Sequence, residues 1–350
     1  MPIDHLLIRA PNWMGDVVLS LAAVRDLRRN FPVARIEVLA RPGVADLYRA
    51  VREVDAVRTA TGFKGDIESI RAGAFGAAVL LPNSFGTALQ ALLARVPERW
   101  GYATDGRGRL LTRRARVPPE VRGRSEVYYY RAMLAGVGLE VTASPDVTLR
   151  CPEEWSARGA ALLDAGRSDE SDGPWVGFSP GASFGAAKRW IPERYSAVGD
   201  FLGRQHDARI AILGGRDERP LADAVAAGMR APARNLCGET TTAEMVGVLS
   251  RLRLLVTGDS GPMHVAAALG VPVVAVFGPT DWRETAPFTG AHRLVREPVH
   301  CSPCKLRECP IDHRCMTRIS ADRVLEAARA LLVSTAGPEP SAKATAGAQG

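Results

Sequence analysis

The sequence predicts an α/β protein made of two Rossmann-like domains that face a cleft. Three observations lead to that class. Apolar strands alternate with helices of roughly 10–15 residues, the pattern of parallel sheets. The pattern runs twice, separated by a polar Gly/Ser/Asp-rich stretch, Leu162 to Gly173. The chain has 350 residues, and single hydrophobic cores stop growing near roughly 250. The expected division is an N-terminal domain over 1–165 and a C-terminal domain over 166–335, whose last helix is a candidate to pack back on the first domain. The Pro/Ala/Gly-rich tail 336–350 is expected to be disordered.

The N-terminal half opens with the strand "HLLIRA", a loop "PNWMGD" and the amphipathic helix "VVLSLAAVRDLRRNFP". The strand "RIEVLA" follows and is ended by Arg41-Pro42-Gly43, which completes a βαβ unit. "AAVLLPNS", from Ala77 to Ser84, is a later strand running into a polar loop and then the helical "FGTALQALLARV". In the second half the order is strand "PWVGFSPGAS", helix "PERYSAVGDFLGRQ", strand "RIAILGG" and a helix from Arg219. Then comes "LLVTGDSGPMHVAAALGVPVVAVFGPT", read as strand, tight loop, helix, strand and turn. "SADRVLEAARALLVS" is the C-terminal helix.

No apolar run reaches the roughly 18 residues of a membrane span. The N-terminus lacks the basic-then-apolar pattern of a signal peptide, so a cytoplasmic protein is expected. The net charge is +7. From Arg99 to Arg124 eight arginines stand against only Asp105 and Glu120. Such a run is either a solvated basic surface or an attractor of polyanions. No nucleic-acid-binding motif and no interleaved aromatics accompany it, which argues against nucleic acid as the partner.

Ligands of open α/β sheets bind beyond the carboxyl ends of the strands, and four polar loops hold that position here. "APNWMGDVV" lacks G-x-G-x-x-G, which disfavours a nicotinamide or flavin enzyme. Its Asp16 is either a helix cap or a general base facing the cleft. "FSPGASFGAAKRWIPERY" offers Ser179 and Gly181, whose small size lets backbone N–H groups approach an anion. Lys188 follows as a point charge for a phosphate or as part of a basic helix flank. In "ILGGRDERP", Asp217 is a turn and cap residue or a ribose acceptor. In the fourth loop, Asp259, Ser260 and Gly261 precede Pro262, so a helix N-terminus presents free N–H groups and its dipole. His264 lies one turn in, as a core histidine or a neighbour of the anion. The chain contains no D-x-D, so a departing diphosphate would be neutralised by Lys188 and the Ser260–His264 segment rather than by a metal held on that motif.

"PNWMGDVVLSLAAVRDLR", "LLPNSF", "SPGASFGAAKRWIPERY" and "TGDSGPMHVAAALGVPVVAVFGPT" resemble the signature segments of the lipopolysaccharide heptosyltransferases of glycosyltransferase family 9. They occur in that family's order and spacing from His5 to about Ala330. Among members, the chain is most like those that extend a core already bearing one heptose. The resemblance implies a GT-B arrangement and an inverting transfer that requires no cofactor. The implied donor is ADP-L-glycero-D-manno-heptose, and the implied acceptor is heptosyl-Kdo-lipid A at the inner face of the inner membrane. It implies Asp16 as base, Lys188 at the donor phosphates, and Ser179, Gly181, Asp217, Asp259, Ser260, Gly261 and His264 in the donor site. Asn83, Ser84, Arg113 and Arg114 are the candidate acceptor residues. A later heptosyltransferase or one adding the first heptose is the nearest alternative. A sugar-nucleotide epimerase and a non-enzymatic binder of anionic glycans are the more distant ones.

Cys301, Cys304, Cys309 and Cys315 crowd into "HCSPCKLRECPIDHRCM". Their C-x2-C-x4-C-x5-C pattern has the ligand type of a zinc site without its usual spacing. A structural zinc ion, reduced thiols in a loop lining the pocket, and a disulfide are the alternatives.

Overall fold

The computed structural model describes residues 3–165, 173–288 and 290–335. It contains two six-stranded sheets, all parallel. The first comprises β1 (His5–Arg9), β2 (Arg35–Ala40), β3 (Ala56–Thr59), β4 (Ala77–Leu80), β5 (Glu98–Tyr102) and β6 (Arg113–Ala115), in the order β3-β2-β1-β4-β5-β6. Around it lie α1 (Met14–Asn30), α2 (Pro42–Arg49), α3 (Phe63–Ala72), α4 (Phe85–Leu93) and α5 (Glu126–Gly136). After α6 (Glu153–Asp164), the second sheet comprises β7 (Trp175–Ser179), β8 (Arg209–Ile212), β9 (Ala233–Asn235), β10 (Leu254–Gly258), β11 (Val273–Phe277) and β12 (His292–Arg296). Its order is β12-β11-β10-β7-β8-β9. Its helices are α7 (Pro192–His206), α8 (Arg219–Ala227), α9 (Thr242–Leu249), α10 (Gly261–Ala268), α11 (Trp282–Thr285), α12 (Arg314–Thr317) and α13 (Ala321–Thr335).

The central strands are buried on both faces, as helix-covered parallel strands must be. β10 and β11 are buried from end to end, in keeping with the continuous apolar run of β11 and the Leu254–Val256 start of β10. Strand order reverses between β1 and β4 in one sheet and between β7 and β10 in the other. These are the switch points where crevices open beyond the strand ends. The two halves are not separate cores. One buried cluster runs from Leu6 and Val17 to Met263 and Val265, joined where α1 packs on α10.

Three sequence expectations change. α1 begins at Met14, earlier than the apolar run suggested, and this brings Asp16 into its first turn. α6 extends to Asp164, into the stretch expected to be linker, and packs along α9 of the second half. Its Gly159 and Leu163 are buried there. The expected linker residues 166–172 and the tail 336–350 lie outside the described residues. Finally, α13, the helix expected as a candidate to pack back on the first half, contributes its described apolar face to the second. Val324, Leu325, Ala328 and Leu331 join the second core with Trp190, Tyr195 and Leu202. The amphipathic pattern of that helix specified a buried face but not which sheet would cover it.

Candidate active site

The two N-terminal turns that the switch points generate face each other. α1 follows β1 and α10 follows β10, and they meet at two glycines. A Cβ on Gly15 would stand 2.7 Å from His264 Cδ2, and one on Gly261 would stand 2.9 Å from Met14 Cβ. This close approach brings two partly positive helix ends to one cavity of ≈510 Å³. Asp16, Ser179, Gly181, Lys188, Asp259, Ser260, Gly261 and His264, all singled out in the sequence, line it together.

Asp16 is mostly buried, and its carboxyl is pushed up to about 6. Burial is the main cause; the Asp259 charge adds to it and Lys188 opposes it. A helix N-terminus alone favours the anion, so here desolvation outweighs the dipole. A carboxylate of this kind is ionised at neutral pH yet basic enough to take a proton.

Lys188 ends a short 3-10 turn, Ala186–Lys188. Its Nζ donates to Asp259 Oδ2 at 2.8 Å and to Asp259 O at 3.3 Å. Thr285 Oγ1 also donates to Asp259 Oδ2, at 3.3 Å. The lysine expected to be free for an anion is thus held by a carboxylate. Both side chains are largely buried, at 13% and 6% exposure.

Ser260 is the N-cap residue of α10, but its hydroxyl makes no capping bond. It meets Thr257 Oγ1 at 2.9 Å, and that hydroxyl reaches Ser179 O at 3.2 Å, which ties the β7 and β10 loops together. The first N–H groups of α10 therefore stay available to a ligand. His264 is 4% exposed and its Nδ1 has no hydrogen-bond partner. Burial pushes it down to about 4; Asp259 opposes that shift and Lys188 reinforces it. The imidazole is neutral at physiological pH.

Some expected residues lie elsewhere. Asp217 is exposed and does not line the cavity; the next residue, Glu218, does. Glu218 Oε2 accepts the Gly215 N–H at 2.8 Å, and its carboxyl fills the space where a Cβ on Gly181 would sit. The one-residue difference follows from the 3-10 turn Arg216–Glu218, which turns Asp217 outward.

None of the four candidate acceptor residues lines the cavity. Asn83 Nδ2 donates to Tyr129 Oη at 2.6 Å. Ser84 caps α4, its Oγ accepting the Thr87 N–H at 3.3 Å. Arg113 lies at the start of β6, 4.7 Å above the Trp100 ring and 3.4 Å from Glu98. Arg114 is exposed on the same strand. Part of the arginine run is structural. Arg107 is fully buried and donates to the carbonyls of Tyr102, Pro82 and Leu80, and Arg99 donates to those of Val96, Pro97 and Leu110.

The chain has six cysteines. All six are free, and among the described residues no three His, Cys, Asp or Glu side chains form a metal-ligand group. Cys315 is buried in the second core while Cys304 is exposed to solvent.

The sequence reading missed Trp13, Glu218, the Thr240–Thr242 run, Met245 and Thr285, all of which line the cavity. The threonine run was the most legible of these: three hydroxyls spanning a helix start, with Thr241 and Glu244 forming a capping box. Glu126, the first residue of α5, was missed too. Its carboxyl is pushed up to about 7 by burial first, then by the charges of Asp16 and Glu284, with Lys305 opposing.

Residues 67–314 match the family model for glycosyltransferase family 9, heptosyltransferase. The chain belongs to glycosyltransferase family 9. Lipopolysaccharide heptosyltransferase 2 of Salmonella typhimurium is 30% identical over 346 residues, 93% of this chain and 98% of that protein. The Escherichia coli K12 enzyme of the same name is also 30% identical, over 94% of this chain and 98% of its own length. The solved structure of E. coli ADP-heptose lps heptosyltransferase II superposes with a TM-score of 0.82 at 28% identity, covering 94% of this chain and 99% of that one. This heptosyltransferase therefore has the two-sheet GT-B architecture of its relatives, and it is a glycosyltransferase acting in lipopolysaccharide core assembly. No helix among its described residues is long and apolar enough to cross a membrane.

Proposed function

We propose that this heptosyltransferase moves L-glycero-D-manno-heptose from ADP-heptose to the first heptose of heptosyl-Kdo-lipid A, by a single inverting displacement. One observation carries the reading. Asp16 from one half, and Lys188, Asp259 and the N-terminus of α10 from the other, meet in one cavity between the sheets. The name of the E. coli relative, which specifies ADP-heptose, supports the donor.

Asp16 takes the proton from the attacking hydroxyl of the acceptor heptose. That oxygen attacks the anomeric carbon from the face opposite the diphosphate, and the anomeric C–O bond to ADP breaks. Lys188 exchanges Asp259 for the departing phosphate oxygens, and the free N–H groups of α10 share the charge, a preorganised electrostatic contribution. This chemistry assigns no step to a metal. Glu218 accepts from the donor ribose in place of Asp217. His264 contributes as a neutral hydrogen-bonding group, since its proton is lost well below neutral pH.

The exposed arginines on and after β6, Arg114, Arg116 and Arg122, face the acceptor phosphates and Kdo carboxylates. They also hold the enzyme at the anionic cytoplasmic face of the inner membrane.

The test is ADP release with ADP-heptose and two lipid A–Kdo acceptors, one carrying the first heptose and one without it. Turnover confined to the mono-heptosylated acceptor is the expected result. Turnover on neither acceptor overturns the reading.

A further inference from the structure

The cysteine-rich segment takes no part in the cavity lining, yet the turn that carries Lys188 is anchored to it. Ala187 is gripped at both its backbone groups. Its N–H donates to Arg307 O at 2.9 Å. Its carbonyl oxygen lies 2.6 Å from His313 Nε2. A carbonyl only accepts, so Nε2 carries the hydrogen and donates it. Gly185 lies against the same segment. A Cβ there would fall 2.4 Å from Arg307 O and 2.8 Å from Arg307 Cα, backbone atoms that have no rotamer in which to yield. Around the Phe184 ring, Lys188 Nζ stands 4.9 Å and the Arg307 guanidinium carbon 5.3 Å from the centroid.

The segment is itself fixed to the end of β11. Ser302 Oγ donates to Gly278 O at 2.6 Å and the Lys305 N–H to Pro279 O at 2.8 Å. Lys305 Nζ pairs with Glu284 at 2.5 Å. Cys315 and Met316 are buried, packed beneath Gly278. The segment thus connects a rigid strand end to the lysine turn.

We propose that the Cys301–Cys315 segment positions Lys188, with His313 as its pin through the Ala187 carbonyl. His313 touches no substrate; it sets where the ammonium lies. This inference rests on the reading of Lys188 as the group that meets the donor diphosphate. Small displacements of a positioned group cost up to about 10²-fold in rate.

The experiment uses the full-length protein, with ADP as the calorimetric probe and ADP-heptose as the kinetic donor. In His313→Ala, assayed well below its unfolding midpoint, ADP affinity and donor kcat/KM are expected to fall about tenfold, with acceptor KM unchanged. His313→Gln presents an amide N–H toward the same carbonyl and is expected to restore both to within about twofold. Gly185→Ala pushes on the contact from the other side and is expected to reproduce the donor-specific loss, which keeps the test available if His313→Ala fails to fold. ADP affinity and kcat/KM within about twofold of wild type in both variants overturn the inference, as does a loss that tracks only the unfolding midpoint and is not rescued by Gln. Lys188→Ala separates the two readings. If it binds ADP and turns over normally, the role of Lys188 fails. If it is impaired while His313→Ala and Gly185→Ala are not, only the positioning inference fails.

Discussion

The two walls of the cavity were drawn from the sequence by different signals, and they fared differently in the structure. On the second half, Ser179, Gly181, Lys188, Asp259, Ser260, Gly261 and His264 come together. On the first half, Asp16 reaches the cavity while Asn83, Ser84, Arg113 and Arg114 do not line it. Most residues of the second wall sit at or just past the ends of β7 and β10, beside a topological switch, so chain topology aims them. The arginines were chosen for charge, and charge carries no direction. Arg113 spends its guanidinium on Trp100 and Glu98 instead.

The largest effect is expected from Asp16→Asn. Turnover is expected to fall by about 10²–10⁴-fold, with ADP affinity retained by calorimetry. Near-normal turnover would remove the only first-half side chain to which chemistry is assigned.

Lys188→Ala is expected to lower donor kcat/KM by about 10²-fold, the scale of losing one preorganised charge donor. Among the described residues, it also leaves Asp259 buried with only the Thr285 hydroxyl as a side-chain hydrogen-bond partner. A lower thermal midpoint should therefore accompany the kinetic loss. A midpoint equal to wild type would mean that the pair is not desolvated.

The pH dependence comes next in size. Asp16 rises from 3.8 to about 6 on folding, so kcat/KM should decline about tenfold per unit below that value. The stability effect has the opposite sense. The folded state holds this proton more tightly than the unfolded chain does. The stability contributed by the raised group is thus fully present below the unfolded value and lost as pH rises through about 6. Asp16→Asn should therefore melt higher than wild type at pH 7, and the gap should close on acidification. Equal midpoints at pH 7 would contradict the buried, raised carboxyl.

Smaller effects distinguish neighbours. Glu218→Gln is expected to raise donor KM about tenfold, whereas Asp217→Asn should change it less than about twofold. The reverse ranking would restore the sequence assignment. Smallest of all, Arg113→Ala should leave acceptor KM within about twofold and act on stability through its lost contact with Trp100. A large rise in acceptor KM would return Arg113 to the acceptor site.

The two parallel sheets, the polar loops at their carboxyl ends and most of the second wall were legible in the amino-acid pattern. These depend on local information: apolar runs, Gly and Pro punctuation, and the Pro262 helix start. Family resemblance added the chemistry that those residues serve. Three-dimensional packing places α13 on the second sheet, sets α6 on α9 and turns Glu218 rather than Asp217 inward. It also paired Lys188 with Asp259, 71 positions apart, and set the cysteine segment behind Lys188. Each of these is a choice among faces or partners that the sequence leaves equally polar or equally apolar. Packing settles such choices, because a buried charge or an exposed apolar stripe is costly only once the neighbouring elements are in place.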